Sequence, residues 1–382
     1  MIRSTKALTV SSFLCMFFLG VGTTVLGAAA RNIGLSPYQI GLLLAIQYVG
    51  FIISVSAAGA LSDTYDKTKI LLIISILLAI AFALFYRWPS FFINLLIMFF
   101  IGIGMGGYEG VADAMLLAIH EEKESLYISV NHFFITFGSL MITLYLLFLQ
   151  MNWRKSMVQS SIAVACIAIL FLFSKLDSRE VSEKRVLLRL KSLKDDRLVF
   201  SLLAASACIV GCELGTQGIM TTFLMEFRGF SQVTSKLGLI IFLSGIALGR
   251  LLVGIITKRH QLYSFLLALL FLCTIFFSCL YFIHTKSMPI TAVLIFLCGL
   301  TISSVFPIIL SLAGIIYKEM AGTVLGLIKM GIPIGGILVP LLVSLVSRYF
   351  SFKLSLIIFP LFSLASLLIM LANWSRFRRL EL

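Results

Sequence analysis

Apolar stretches separated by short polar turns recur along the whole chain. A helix that crosses a bilayer needs roughly 20 apolar residues, and stretches of about that length occur twelve times. The pattern predicts spans over 7–29, 37–61, 68–87, 91–118, 126–150 and 156–174 in the first half. In the second half it predicts 198–226, 234–256, 261–283, 288–316, 321–347 and 352–373. Little chain is left for loops, so no sizeable water-soluble domain is expected. The pattern therefore predicts an all-α membrane protein with twelve transmembrane helices.

Composition supports this expectation. Hydrophobic residues make up 60% and charged residues 12% of the 382, with a mean hydropathy of +1.10. A soluble protein of this size has too little interior to hide that much apolar surface. Arg3 and Lys6 before an apolar run that ends at Gly27 and Ala30 imitate a secretory leader. Further spans follow at once, so the first helix is expected to be retained.

The formal net charge of +14 would suit a nucleic-acid partner, but its placement gives it another cause. With the amino terminus in the cytoplasm, inner loops and tails hold 19 of the 30 Lys and Arg and outer loops hold 9. The other two, Arg250 and Lys329, fall inside spans. This asymmetry is the positive-inside bias, and it predicts cytoplasmic termini and no nucleic-acid partner. All seven Cys lie in spans at spacings that suit no metal site; small buried hydrophobes is their expected role.

The longest polar stretch, 175–197, sits near the midpoint and predicts a cytoplasmic linker between six-helix bundles at 1–174 and 198–382. An amphipathic helix on the inner leaflet and a solvated loop are both open for it. An internal repeat agrees with two halves. Gly59, Leu61, Asp63, Lys67 and Lys69 close the second span, and Gly249, Arg250, Gly254, Lys258 and Arg259 close the eighth, 190 residues on. Parallel halves are a transporter architecture, with solute bound near the midplane.

The most informative side chains are the acids Glu109 and Asp113, in an otherwise apolar, glycine-rich span. At i and i+4 they share one helix face. An intramembrane carboxylate is costly and faces a partner or a water-filled cavity. A carboxyl that changes protonation there is a natural proton carrier. Glu109 is the leading candidate for the coupling proton. Asp113, one turn nearer the cytoplasm, is expected to be solvated or paired with Lys123. His132 titrates near neutrality and is a candidate relay to Asp113, with a hydrogen-bonded spectator as the alternative.

Glu213 and Gln217 lie one turn apart on a single face of the seventh span, a plausible hydroxyl-binding patch. An ion pair between Glu213 and Lys329 is the structural alternative. Lys329 itself is open to three readings: such a pair, binding of a substrate anion, or a solvated inner-end residue. Asn131, Gln47, Tyr48 and Tyr108 complete the candidate substrate contacts. Gly102, Gly104, Gly106, Gly107 and Gly110 are expected to let helices pack closely, since no basic phosphate-loop ending follows. No Ser-His-Asp, zinc or nucleotide constellation appears, and an enzyme is excluded.

The loop closing the second span resembles the signature of the major facilitator superfamily. The resemblance implies a gating role for Gly59, Asp63 and Lys67, with Gly249, Arg250 and Lys258 serving similarly in the second half. Glycine would allow close helix crossing, and Asp63 would latch the cytoplasmic side.

Finer motifs are similar to the fucose:proton symporter family and its glucose-transporting relatives. Glu109 matches that family's acid in the fourth helix, while Asp113 stands where Asn is usual. Asn131, His132, Phe133, Phe134 and Gly138 resemble its fifth helix. Gly211, Glu213, Gly215 and Gln217 resemble its seventh, and Phe306-Pro307 its tenth. The acid of the family's first helix is missing, and the segment Gly20 to Thr24 stands there instead. By the 190-residue offset, Thr23 lies opposite Glu213.

The resulting expectation is secondary active, proton-coupled symport of a small polar solute, a hexose first, by alternating access. The alternative is a proton-coupled exporter or antiporter of an amphiphile, drug or organic anion. A receptor that merely kept the fold is disfavoured for want of a signalling module. The expected coupling ion is H+, with Na+ as the alternative, and no cofactor is expected. A monomer in a bacterial inner membrane is the expected state.

Overall fold

The computed structural model describes residues 4–120, 124–149, 151–176, 196–256, 261–283, 285–317 and 321–379. Contacts divide the chain into two compact units, Met1–Val181 and Ser182–Leu382. The boundary falls inside the polar stretch expected as a linker, of which 177–195 lies outside the described residues. No strand is present among the described residues, which carry twelve helices or helix pairs long and apolar enough to cross a membrane.

In the first unit the helices are α1 (Thr5–Ile33), α2 (Pro37–Thr64), α3 (Lys67–Leu84), α4 (Phe91–Ile119), α5 (Glu124–Phe148) and α6 (Trp153–Leu172). Their ends follow local chemistry. Ser36 and Gln39 form a capping box before α2, with Pro37 at its first turn. Asp66 caps α3, Ser90 caps α4 and Asn152 caps α6 by accepting from backbone amides. Packing is pairwise: α2 against α4, α1 against α5 and α3 against α6.

The α2–α4 crossing is close because α4 presents glycine every fourth residue. A Cβ on Gly102 or Gly106 would collide with the backbone carbonyls of Gln47 and Phe51, and one on Gly110 would come 2.9 Å from that of Val55. Bare backbone is what lets helices approach where lipid supplies no hydrophobic drive between them.

The second unit contains α7 (Arg197–Glu226), α8 (Gln232–Ile256), α9 (Leu262–Phe282), α10 (Met288–Ile302), α11 (Val305–Ile316), α12 (Ala321–Lys329), α13 (Gly331–Tyr349), α14 (Phe352–Ser355), α15 (Ile358–Ala372) and α16 (Trp374–Arg379). The pairing of the first unit recurs: α7 with α13, α8 with α10 and α9 with α15. Here the structure refines three expected spans, since 288–316, 321–347 and 352–373 are each broken. Each break lies three or four residues before a proline: at 303–304 before Pro307, at Met330 before Pro333, and at 356–357 before Pro360. Proline has no amide hydrogen for the carbonyl four residues back, and its ring crowds that carbonyl.

Outward faces carry large apolar side chains such as Ile73, Phe92, Phe148 and Val293, all exposed. Such faces suit hydrocarbon rather than water.

Of the expected gate, Lys258 and the Asp63 side chain lie outside the described residues. Lys67 is buried, and its ammonium donates to the Ser62 carbonyl at 2.7 Å near the end of α2. The close-crossing reason for the glycines holds at Gly249, where a Cβ would come 2.7 Å from the Leu300 oxygen. At Gly59 a Cβ would meet nothing within 4 Å, so that reason does not apply to it inside its own unit.

Candidate transport site

In the first unit, α4 and α5 bring Glu109, Asp113 and His132 into one pocket. One donor atom from each lies within 4.8 Å of the others. Both acids are buried, while about 31% of the His132 side chain is exposed. His132 Nε2 stands 2.9 Å from Asp113 Oδ2 and 3.8 Å from Glu109 Oε1. The Asn131 amide donates to Asp113 Oδ1 at 2.8 Å. On α1, the Ser12 hydroxyl has two acceptors at 3.2 Å, Asn131 Oδ1 and the Ala112 carbonyl, for its single proton. Asp113 thus meets His132 and Asn131; Lys123, the partner considered from sequence, lies outside the described residues.

Toward the end of α4, His120 marks a second polar point. The Thr9 hydroxyl donates to the Thr5 carbonyl at 2.7 Å, so it accepts from His120 Nε2, also at 2.7 Å. The imidazole stacks on Tyr127, and burial holds His120 below the usual histidine range.

In the second unit, Glu213 is buried on α7 and pairs with Arg250 of α8, Nη2 to Oε1 at 3.1 Å. Arg250 is therefore placed on the acid, a partner different from the Lys329 considered from sequence. The proline break explains how it is aimed. Pro307 provides no amide for the Ser303 carbonyl, and Arg250 Nε donates to that oxygen at 3.4 Å. Two contacts from one planar guanidinium fix its direction. Gln217 is buried one turn beyond Glu213, and Lys329 ends α12 half-buried.

The other candidate contacts turn into helix packing. Gln47 is fully buried, with its amide donating to the Gly22 carbonyl at 2.9 Å and lying 3.0 Å from Met105 sulfur. It ties α2 to α1 and α4. Tyr108 is fully buried, its hydroxyl 2.8 Å from Ser75 of α3. Tyr48 is buried with its ring beside Phe51.

One residue and one pairing escaped the sequence reading. Ser12 gave no signal, since serines are common in apolar helices. The Arg250–Glu213 pair had one: a cation inside a span needs an acid, and Glu213 is the acid deepest in the spans of that half.

Twelve spans in two units, each burying an acid beside a basic side chain, define a multi-pass membrane protein built like a secondary transporter. The profile of the Major Facilitator Superfamily matches residues 8–331, and the chain belongs to that family. It is 22% identical over 335 residues to the glucose/mannose transporter GlcP of Bacillus subtilis, covering 80% of this chain and 78% of that one. Its fold is that of the nucleoside transporter NupG, with a TM-score of 0.78 at 14% identity over 96% of this chain and 99% of that one. The transporter FucP matches with a TM-score of 0.62 at 19% identity, over 94% of this chain and 98% of that one. The protein is thus a small-molecule transporter of the lipid bilayer and not an enzyme. Backbone likeness does not sort its substrate, because carriers of different solutes share this fold.

Proposed function

We propose that this transporter carries a proton together with a small polar solute, a hexose, by alternating access. The buried cluster of Glu109, Asp113 and His132 is the observation that carries the reading. Two acids and an imidazole inside a membrane span can take up and release protons. Likeness to a glucose/mannose transporter supports a hexose as the solute. Glu213 and Gln217 would meet its hydroxyls, with Arg250 holding the Glu213 carboxylate in place.

Coupling requires that the solute bind the protonated carrier better than the deprotonated one, because a ligand shifts an equilibrium only by its differential affinity. The basic inner loops support cytoplasmic termini, and uptake across a bacterial inner membrane is the direction this reading takes. The test uses purified protein in liposomes filled with a pH-sensitive dye. Hexose added outside should acidify the interior, and Glu109→Gln should end that signal. A silent response to every hexose, with flux of organic anions instead, would favour the exporter reading. Hexose uptake that follows sodium and leaves pH unchanged would replace the coupling ion.

A further inference from the structure

With the termini cytoplasmic, the positive-inside bias should keep the outer loops poor in Lys and Arg. Five of the nine outer cations nevertheless belong to the second unit: Arg228, Lys236, Lys286, Arg348 and Lys353. Glu226 is the one acid in the outer loops of the whole chain. The bias explains the basic inner loops and does not explain these five.

The structure brings their loops together at one end of the unit. Arg228, in the turn after α7, is buried, and its guanidinium donates to the carbonyls of Leu280 on α9 and, at 3.1 Å, of Thr285 before α10. The α7–α8 and α9–α10 turns are thereby tied. Lys353 of α14 reaches the same place, its ammonium 5.9 Å from the centre of the Phe227 ring, and the Arg228 guanidinium lies 5.8 Å from that centre. Cations are drawn to the negative face of an aromatic ring, so Phe227 links the α13–α14 corner to the other two turns. Lys236 is buried on α8, whereas Lys286, Arg348 and Lys353 are exposed.

The surface beside the three exposed cations is apolar. Phe282 and Ile283 come just before Lys286, and Tyr349, Phe350 and Leu354 flank Arg348 and Lys353. All five are exposed, Phe350 by 75%. A water-soluble anion would answer the charges and leave these side chains bare. A phospholipid answers both, with its phosphate near the cations and its acyl chains along the apolar side chains.

We propose that this end of the second unit is a binding surface for anionic phospholipid, with Lys286, Arg348 and Lys353 meeting the headgroup and Phe282, Phe350 and Leu354 meeting the chains. With the termini in the cytoplasm, the lipid belongs to the outer leaflet. The surface is separate from the first-unit cluster of acids and imidazole, and lipid binding to it is independent of proton coupling.

The experiment reads binding without transport. Phe350→Trp places a fluorescent reporter at an exposed position, and its signal is the difference from the wild type with its three Trp. The protein is placed in phosphatidylcholine vesicles that carry a fixed share of brominated, quenching lipid, either phosphatidylglycerol or phosphatidylcholine. Phosphatidylglycerol should be preferred about tenfold at low salt, and the preference should fall toward unity in about 1 M salt. Adding Lys286→Gln, Arg348→Gln and Lys353→Gln together should abolish it, whereas Lys286→Arg with Lys353→Arg should retain it. Equal quenching by the two lipids, or a preference that survives loss of the three charges, would overturn the proposal. A preference abolished by inorganic phosphate but kept in chloride of the same ionic strength would overturn it too, because the surface would then take a soluble anion.

Discussion

The two units bring different bases to a buried acid. Each buries an acid on a long apolar helix and brings a base from a second helix, yet the first uses an imidazole and the second a guanidinium. Imidazole gains and loses its proton near neutral pH, whereas guanidinium stays charged. The first unit brings two acids to one imidazole, whereas the second pairs Glu213 with Arg250. The difference teaches that a shared architecture can place a titratable base beside its acids in one half and a permanently charged one in the other.

The comparison breaks most sharply at Glu109. In Glu109→Gln the proposed proton site is gone, and accumulation of hexose against its gradient should fall to zero. Counterflow exchange of labelled for unlabelled hexose should persist, and its loss would mean that Glu109 binds the solute instead. In the second unit Arg250→Ala should act first on stability. Breaking a fully buried pair costs about 3–5 kcal/mol, and with 32% of the Arg250 side chain exposed we expect roughly 2 kcal/mol, read as a lower Tm in detergent. Arg250→Lys should recover part of it, since an ammonium restores the charge but not the two-point aim on Glu213 and Ser303.

Gln217→Ala tests whether the fixed half supplies solute contacts. Losing one hydrogen bond of about 1 kcal/mol should raise the KM for hexose some five- to tenfold while the proton response at saturation is kept. An unchanged KM would move the solute contacts away from α7. The smallest effect is expected at Ser12→Ala, about 1 kcal/mol or less, because Asn131 keeps its bond to Asp113. Thermal unfolding of that variant compared with wild type checks it; a larger fall would mean that Ser12 also holds the α1–α5 contact.

What the sequence determined by itself is what depends on composition and local chemistry. Twelve apolar stretches demand a membrane, because backbone polar groups in hydrocarbon must be satisfied within helices. The i, i+4 spacing put Glu109 and Asp113 on one face, and intramembrane acids marked the region of interest. The broken spans were not among these: Pro307, Pro333 and Pro360 each stand just after a break, yet Pro340 lies inside an unbroken α13.

Partnership was decided only by the tertiary structure. His132 was a candidate relay to Asp113 from sequence, but its 2.9 Å contact across 19 positions and the meeting of Arg250 with Glu213 across 37 are tertiary facts that no local pattern encodes. Gln47 and Tyr108 looked like cavity residues and turned into helix seams for the same reason. In water, an amphipathic helix declares its buried face by the contrast between apolar and polar sides. Within hydrocarbon that contrast is absent, because lipid is as apolar as leucine. The rotation of each helix is then settled by close backbone packing, as at Gly102 and Gly106, and by where a buried charge finds its counterpart.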